Sequence, residues 1–147
     1  MSSLQHRAPG MVGALFNHPT AMCSLVADGY HVNFDAIKIA KKMMGDRLFC
    51  ITDAVTTTST GVYQHTLVGD KYESHGVLSG SALTQLKSVK NLVDKVGIEL
   101  GEATRMCSVY PAKVMNHASI KGCIEIGGKA DLACLSEDLS LIKMMVA

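Results

Sequence analysis

Tryptophan is absent from the 147 residues, aromatic residues make up only 5%, proline occurs three times, and 14 Lys and Arg stand against 13 Asp and Glu. With neither sign of charge in excess and no long charged run, the chain lacks the electrostatic footprint of a nucleic-acid or anionic-membrane binder. No apolar run approaches the roughly 20 residues that span a bilayer. The N-terminus has no basic region leading into an apolar core and cleavage site, so a cytoplasmic protein is expected. Cysteine is present but unpatterned: residues 23, 50, 107, 123 and 134 form neither an even framework nor a CxxC knuckle. Reduced, mostly buried thiols are the expectation. Length sets a further limit, because a closed (β/α)8 barrel takes about 250 residues and this chain is too short for a whole one.

What is present is an α/β order of elements. The segment to Pro19 reads as loop apart from an apolar piece at Met11 to Phe16. Cys23 to Ala27 is an apolar run ending in Asp28 and Gly29, as a buried parallel strand does. A helix follows, capped by Asn33, with Ile37, Ala40 and Met44 on one face and Gly45 as its stop. Leu48 to Ile51 is a second apolar run closed by Thr52, Asp53 and Ala54, which completes a βαβ unit with neighbouring parallel strands. Val62 to Val77 alternates like a hairpin around Gly69 and Asp70 and reads as a peripheral excursion. Ser81 is expected to open the longest helix, with Leu83, Leu86, Val89, Leu92 or Val93, and Val96 at helical spacing before Gly97. Its apolar face needs a sheet to cover it. A shorter helix over 99–109 precedes a break at Pro111 and a further turn ending near Met115. After Gly122, short apolar segments around Ile124, Ile126, Leu132, Leu135, Leu139, Ile142 and Met144 predict several strands in a small separate sheet.

Each of the two apolar strands runs into a carboxylate, Asp28 and Asp53. The C-terminal ends of parallel strands face the ligand in α/β folds. A carboxylate there can act as general base or metal ligand, or simply cap the next turn. The glycine after Asp28 favours the turn at that position. His31 on the same loop can donate to a substrate or serve as a ligand, although a lone loop histidine is more often solvated or structural; Arg7 beside a Pro-Gly turn can grip a phosphate or carboxylate, and an exposed arginine there is also unremarkable. Leu78, Ser79 and Gly80, ahead of the long helix, are expected to offer backbone N–H groups at a helix end to an anion, with a plain N-cap by Ser79 or Ser81 as the alternative. His18, His65, His75 and His117 show no ligand spacing and are assigned no metal, and the nine methionines read as core.

In order, these stretches resemble the C-terminal part of the N-acetylglucosamine-6-phosphate deacetylases of the amidohydrolase superfamily. The matching stretches run from Met1 through His6, Arg7, Ala8, Pro9 and Gly10; from Ala27 to Val32; over Thr52, Asp53 and Ala54; from Leu78 to Thr84; over Arg105, Met106 and Tyr110 to Ala112; and from Gly122 to Leu132. The resemblance implies an α/β fold, the C-terminal portion of a metal-dependent-hydrolase (β/α)8 barrel plus part of a small β-sandwich. Residues 1–116 would supply the last barrel strands and helices, and residues 117–147 strands of the small β-domain. It implies hydrolysis of the N-acetyl group of N-acetylglucosamine 6-phosphate to glucosamine 6-phosphate and acetate. Asp53 would be the catalytic base, Arg7 the phosphate-binding residue acting across a dimer interface, and His31, Leu78, Ser79 and Gly80 substrate-binding.

The implied cofactor is a divalent metal, zinc or similar, whose family ligands, a Glu and two His, lie upstream of the stretch matching Met1. No metal ligand is therefore assigned in this chain. It is expected to be a fragment of a longer enzyme, inactive alone, with strand edges and the face of the long helix left uncovered. The expected partners are a small sugar phosphate and, when complete, further copies in a dimer or tetramer, with no nucleic acid and no membrane. Two other readings are a dihydroorotase-like or allantoinase-like ring hydrolase and a non-enzymatic remnant or interaction module. Arg7 and the 78–81 stretch argue against the first.

Overall fold

A computed structural model of the chain describes residues 2–117 and 121–147, so Met1, at the head of the first matching stretch, and residues 118–120 of the second segment lie outside the described residues. At its centre, strands β1 (Cys23–Val26) and β2 (Leu48–Ile51) pair in parallel, with Val26 opposite Ile51. Helix α2 (Phe34–Met44) connects them, as the βαβ reading requires. Asn33 Oδ1 accepts from the backbone N–H of Asp35 at 2.8 Å, and Gly45 ends the helix at positive φ. Ile37 and Met44 turn inward while Lys38 and Lys42 stay outside.

The apolar piece near the N-terminus, set apart from the surrounding loop, is helix α1 (Gly10–Asn17). Arg47 holds it in place, its guanidinium donating to the carbonyls of Ala21 at 2.9 Å and Leu15 at 3.3 Å. The predicted hairpin is present as β3 (Thr66–Val68) and β4 (Lys71–Ser74), but a third strand, β5 (Val77–Ser81), joins it in an antiparallel sheet ordered β3, β4, β5. The long helix therefore does not open at Ser81. It begins at Gln85 as α3 (Gln85–Asn91), with Thr84 Oγ1 accepting from the N–H of Lys87 at 3.1 Å. It then widens to π-helical spacing over Leu92–Val96 and stops at Gly97, φ 79°.

The face of α3 is covered, contrary to expectation. Val89, Leu92 and Val96 are buried with Leu25, Ile37, Leu48, Cys50, Ala103 and Met106 in one core. Helix α4 (Leu100–Cys107) contributes Ala103 and Met106, and α5 (Val109–Val114) contributes Tyr110. The break between these helices falls at Ser108, φ −136°, not at Pro111, which sits harmlessly in the first turn of α5. Past Gly122 there are two strands among the described residues, not several: β6 (Leu132–Leu135) and β7 (Leu141–Met145) form an antiparallel hairpin, and Ile124 and Ile126 lie exposed outside it. The thiols also depart from expectation: all five are free, but only Cys50 is buried, and Cys123 and Cys134 are exposed. The β1–β2 sheet has two strands among the described residues, which leaves both of its edges open as expected.

One polar cluster ties the helices together. Glu102 of α4 pairs with Lys41 of α2, accepts from the Tyr110 hydroxyl at 2.9 Å and pairs with Arg105 at 2.8 Å. Burial opposes its ionisation, and the hydrogen bonds from Lys41, Arg105 and Tyr110 outweigh this and hold its carboxyl below the usual range. Glu102→Ala leaves these donors without their acceptor and is expected to lower unfolding free energy by about 1–3 kcal/mol in urea titrations. Glu102→Gln, which keeps an acceptor, should cost less.

Candidate active site

The register of the parallel pair sets the site. Val26 and Ile51 are partners, so Asp28 and Asp53, each two residues beyond its strand, emerge side by side at the same end of the sheet. Two α3 side chains fasten the strand ends. Asn91 Nδ2 donates to the Ala27 carbonyl at 2.8 Å, and Gln85 Nε2 donates to the Cys50 carbonyl at 3.3 Å. Sequence reasoning missed both. The available signal was a polar row, Gln85, Ser88 and Asn91, at helical spacing beside an apolar stripe.

Asp53 is the unusual residue. Its backbone is left-handed, φ 50°, a conformation that costs a non-glycine residue about 1–3 kcal/mol unless its surroundings impose it. Here Ser81 imposes it. The Ser81 N–H donates to the Asp53 carbonyl at 2.9 Å, and the Val55 N–H donates to the Ser81 carbonyl at 3.2 Å, so the end of β5 lies beside the chain leaving β2. The Asp53 side chain remains 53% exposed.

Asp28 and His31 complete the group. The Asp28 side chain is only 3% exposed. Its Oδ1 accepts from the backbone N–H groups of Tyr30 at 2.9 Å and His31 at 2.8 Å, which is the turn that its sequence context suggested. Its Oδ2 lies 2.7 Å from His31 Nδ1, and the opposite ring nitrogen, Nε2, lies 3.3 Å from Asp53 Oδ2. Burial opposes ionisation of Asp28, but the hydrogen bonds from His31 and Tyr30 prevail and keep its carboxyl below the ordinary range.

The remaining candidates are placed differently. Leu78, Ser79 and Gly80 lie in strand β5, and α3 begins only at Gln85, so no helix end serves them and the anion-binding rationale for this stretch fails. Ser81, not Ser79, supplies the cap-like hydrogen bond, its Oγ accepting from the Leu83 N–H at 2.9 Å. Ser79 instead meets His65, whose Nδ1 is 2.9 Å from Ser79 Oγ, a contact that the reading of this hairpin as peripheral did not foresee. Gly80 packs against Val55, and a Cβ there would stand 2.6 Å from Val55 Cγ2. Arg7 is exposed on a turn closed by the backbone bonds of Gln5 and Ala8, and no ion pair joins it to Asp53 or His31 among the described residues. Among the described residues no group of three or more His, Cys, Asp or Glu side chains is arranged to hold a metal ion.

The sequence pattern of the amidohydrolase family matches residues 11–147. The chain belongs to the amidohydrolase family. A relative from Vibrio furnissii named N-acetylglucosamine-6-phosphate deacetylase is 36% identical over 154 residues, covering 99% of this chain and 39% of the relative. A relative from Escherichia coli K12, provisionally named N-acetylgalactosamine-6-phosphate deacetylase, is 30% identical, and the match covers 99% of this chain and 92% of that protein. The solved structure of N-acetylglucosamine-6-phosphate deacetylase from Pasteurella multocida superposes with a TM-score of 0.89 at 34% identity, covering 97% of this chain and 39% of that one. This amidohydrolase chain thus has a mixed α/β fold that corresponds to part of a longer domain in most of these relatives. Members of the family are metal-dependent hydrolases.

Two outcomes test the site's construction. Gly80→Ala should lower stability by about 1–3 kcal/mol, and part of that loss should return in the Val55→Ala, Gly80→Ala double variant, as read from urea midpoints. Because Asp28 titrates lower when folded, its contribution to stability is fully present above its unfolded value near about pH 4 and is lost as pH falls through the folded value. The stability gap between the wild-type chain and Asp28→Asn should therefore narrow below about pH 4.

Proposed function

We propose that this chain is the C-terminal, proton-handling portion of an amino-sugar-phosphate deacetylase that hydrolyses N-acetylglucosamine 6-phosphate to glucosamine 6-phosphate and acetate. The observation that carries this reading is Asp53: a carboxylate at the C-terminal end of a parallel strand, held in a costly left-handed conformation by Ser81 and faced by His31 Nε2 at 3.3 Å. The names of the relatives supply the substrate class. Residues 1–116 are the last barrel strands and helices of a (β/α)8 catalytic domain, and residues 117–147 belong to a small β-domain. Cytoplasmic localisation and a homo-oligomer, with Arg7 reaching the substrate phosphate across an interface, are part of the same proposal.

In this mechanism Asp53 takes a proton from the attacking water as its oxygen bonds to the acetyl carbonyl carbon. It then delivers that proton to the amine nitrogen as the C–N bond breaks, leaving acetate and a free amine. His31 orients the acetamido group and the Asp53 carboxylate. Leu78, Ser79 and Gly80 line the sugar, with Ser79 steadied by His65. The divalent metal of the family lacks a ligand set among the described residues.

Replacing the part of the Pasteurella multocida enzyme that this chain matches with these 147 residues provides the test. Acetate release from N-acetylglucosamine 6-phosphate is expected in the chimaera. Asp53→Asn should lower kcat by about 10²–10⁴-fold with little change in KM. Arg7→Ala should chiefly raise KM, and an unchanged KM contradicts the phosphate assignment. Preference for N-acetylgalactosamine 6-phosphate in a side-by-side assay would reassign the sugar to the one in the E. coli relative's name.

A further inference from the structure

The geometry points to Asp28 as a positioning residue that fixes His31 in its Nδ1–H form, so that Nε2 is free to exchange one proton with Asp53. Both Asp28 oxygens are committed. Oδ1 accepts from two backbone N–H groups, and Oδ2 stands 2.7 Å from His31 Nδ1. An ionised carboxylate can only accept, so the hydrogen in that contact belongs to Nδ1. The near-complete burial of the Asp28 side chain leaves water no competing role at Oδ2. Nε2 then carries no proton when the ring is neutral, and it faces Asp53 Oδ2 at 3.3 Å. A bare Nε2 at this distance can take a proton from Asp53 Oδ2 once that carboxylate has acquired one.

The consequence for the reaction rests on the assignment of Asp53 as base. The proton that Asp53 takes from water moves to Nε2, which leaves Asp53 ionised while the tetrahedral adduct forms. It returns through Asp53 to the departing amine nitrogen. Nothing is consumed, since one proton leaves water and the same proton arrives on the amine. Asp28 never changes charge in this sequence. It acts only through the ring that it orients.

Asp28→Asn makes the inference testable, because the asparagine cannot satisfy all three contacts in the original sense. The two backbone donors require the amide oxygen, which turns the NH₂ toward Nδ1. Nδ1 must then accept, and the ring proton moves to Nε2, where it blocks acceptance from Asp53. Two-bond ¹⁵N–¹H spectra of the ¹⁵N-histidine-labelled 147-residue chain, with His31 assigned by its loss in His31→Gln, read this directly. The wild-type chain should show Nδ1 protonated and Nε2 bare in neutral His31, Asp53→Asn should keep that pattern, and Asp28→Asn should reverse it. A wild-type ring protonated at Nε2, a reversal caused by Asp53→Asn, or an unchanged pattern in an Asp28→Asn chain with native circular dichroism would overturn the inference. If Asp28→Asn does not fold, the first two spectra decide. In the chimaera, Asp28→Asn should lower kcat about 10²-fold with KM nearly unchanged. Absence of acetate release from the unsubstituted chimaera counts against the deacetylase reading and leaves the ring spectra to judge the role of Asp28.

Discussion

The parallel register of β1 on β2 is the constraint from which the site follows. Neighbouring strands lie about 4.8 Å apart, so equal offsets from a paired position bring two side chains to the same level at the sheet's end. Val26 opposite Ile51 does this for Asp28 and Asp53. A one-residue slip would turn every side chain of one strand to the other face and separate the two carboxylates. The apolar runs guard against it, since Leu25, Leu48 and Cys50 are buried in this register.

Register alone does not hold the ends of the strands, where backbone groups lose their ladder partners. The helix α3 and the strand β5 take over there. Asn91 and Gln85 satisfy carbonyls at the ends of β1 and β2, and Ser81 pairs with the backbone on both sides of Ala54. The left-handed turn at Asp53 is a product of this docking. It is affordable because Ser81 is fully buried and its own hydroxyl is engaged with Leu83. The three-stranded sheet that first read as an excursion thus shapes the candidate base from outside the parallel pair.

Much of this was legible in the sequence because it is local. Asn33 and Gly45 bracket α2 by capping chemistry, and the runs ending at Asp28 and Asp53 announce strand ends. The alternatives Leu92 and Val93 on the long helix reflect a real widening of the helix over Leu92–Val96, where 3.6-residue spacing no longer applies. Three things were hidden. β5 contains a glycine and two serines, and only its pairing with β4, across an irregularity at Tyr72 and Glu73, makes it a strand. The start of α3 was misplaced because Ser81 makes a cap-like bond to Leu83 without starting a helix, while Thr84 makes the true cap. The meeting of His31 with Asp53 is a tertiary contact that no spacing encodes. Asp28 was legible as a turn residue, but its second oxygen, and so its hold on His31, was not.

The central claim is that Asp53 and His31 together face the bond to be broken. A crystal structure of the Asp53→Asn chimaera soaked with N-acetylglucosamine 6-phosphate tests it most directly. The account predicts the acetamido group within hydrogen-bond reach of residue 53 and His31 Nε2, with the sugar against β5 and the phosphate directed away from Asp28. An acetamido group bound elsewhere, with residue 53 touching only solvent, would contradict it.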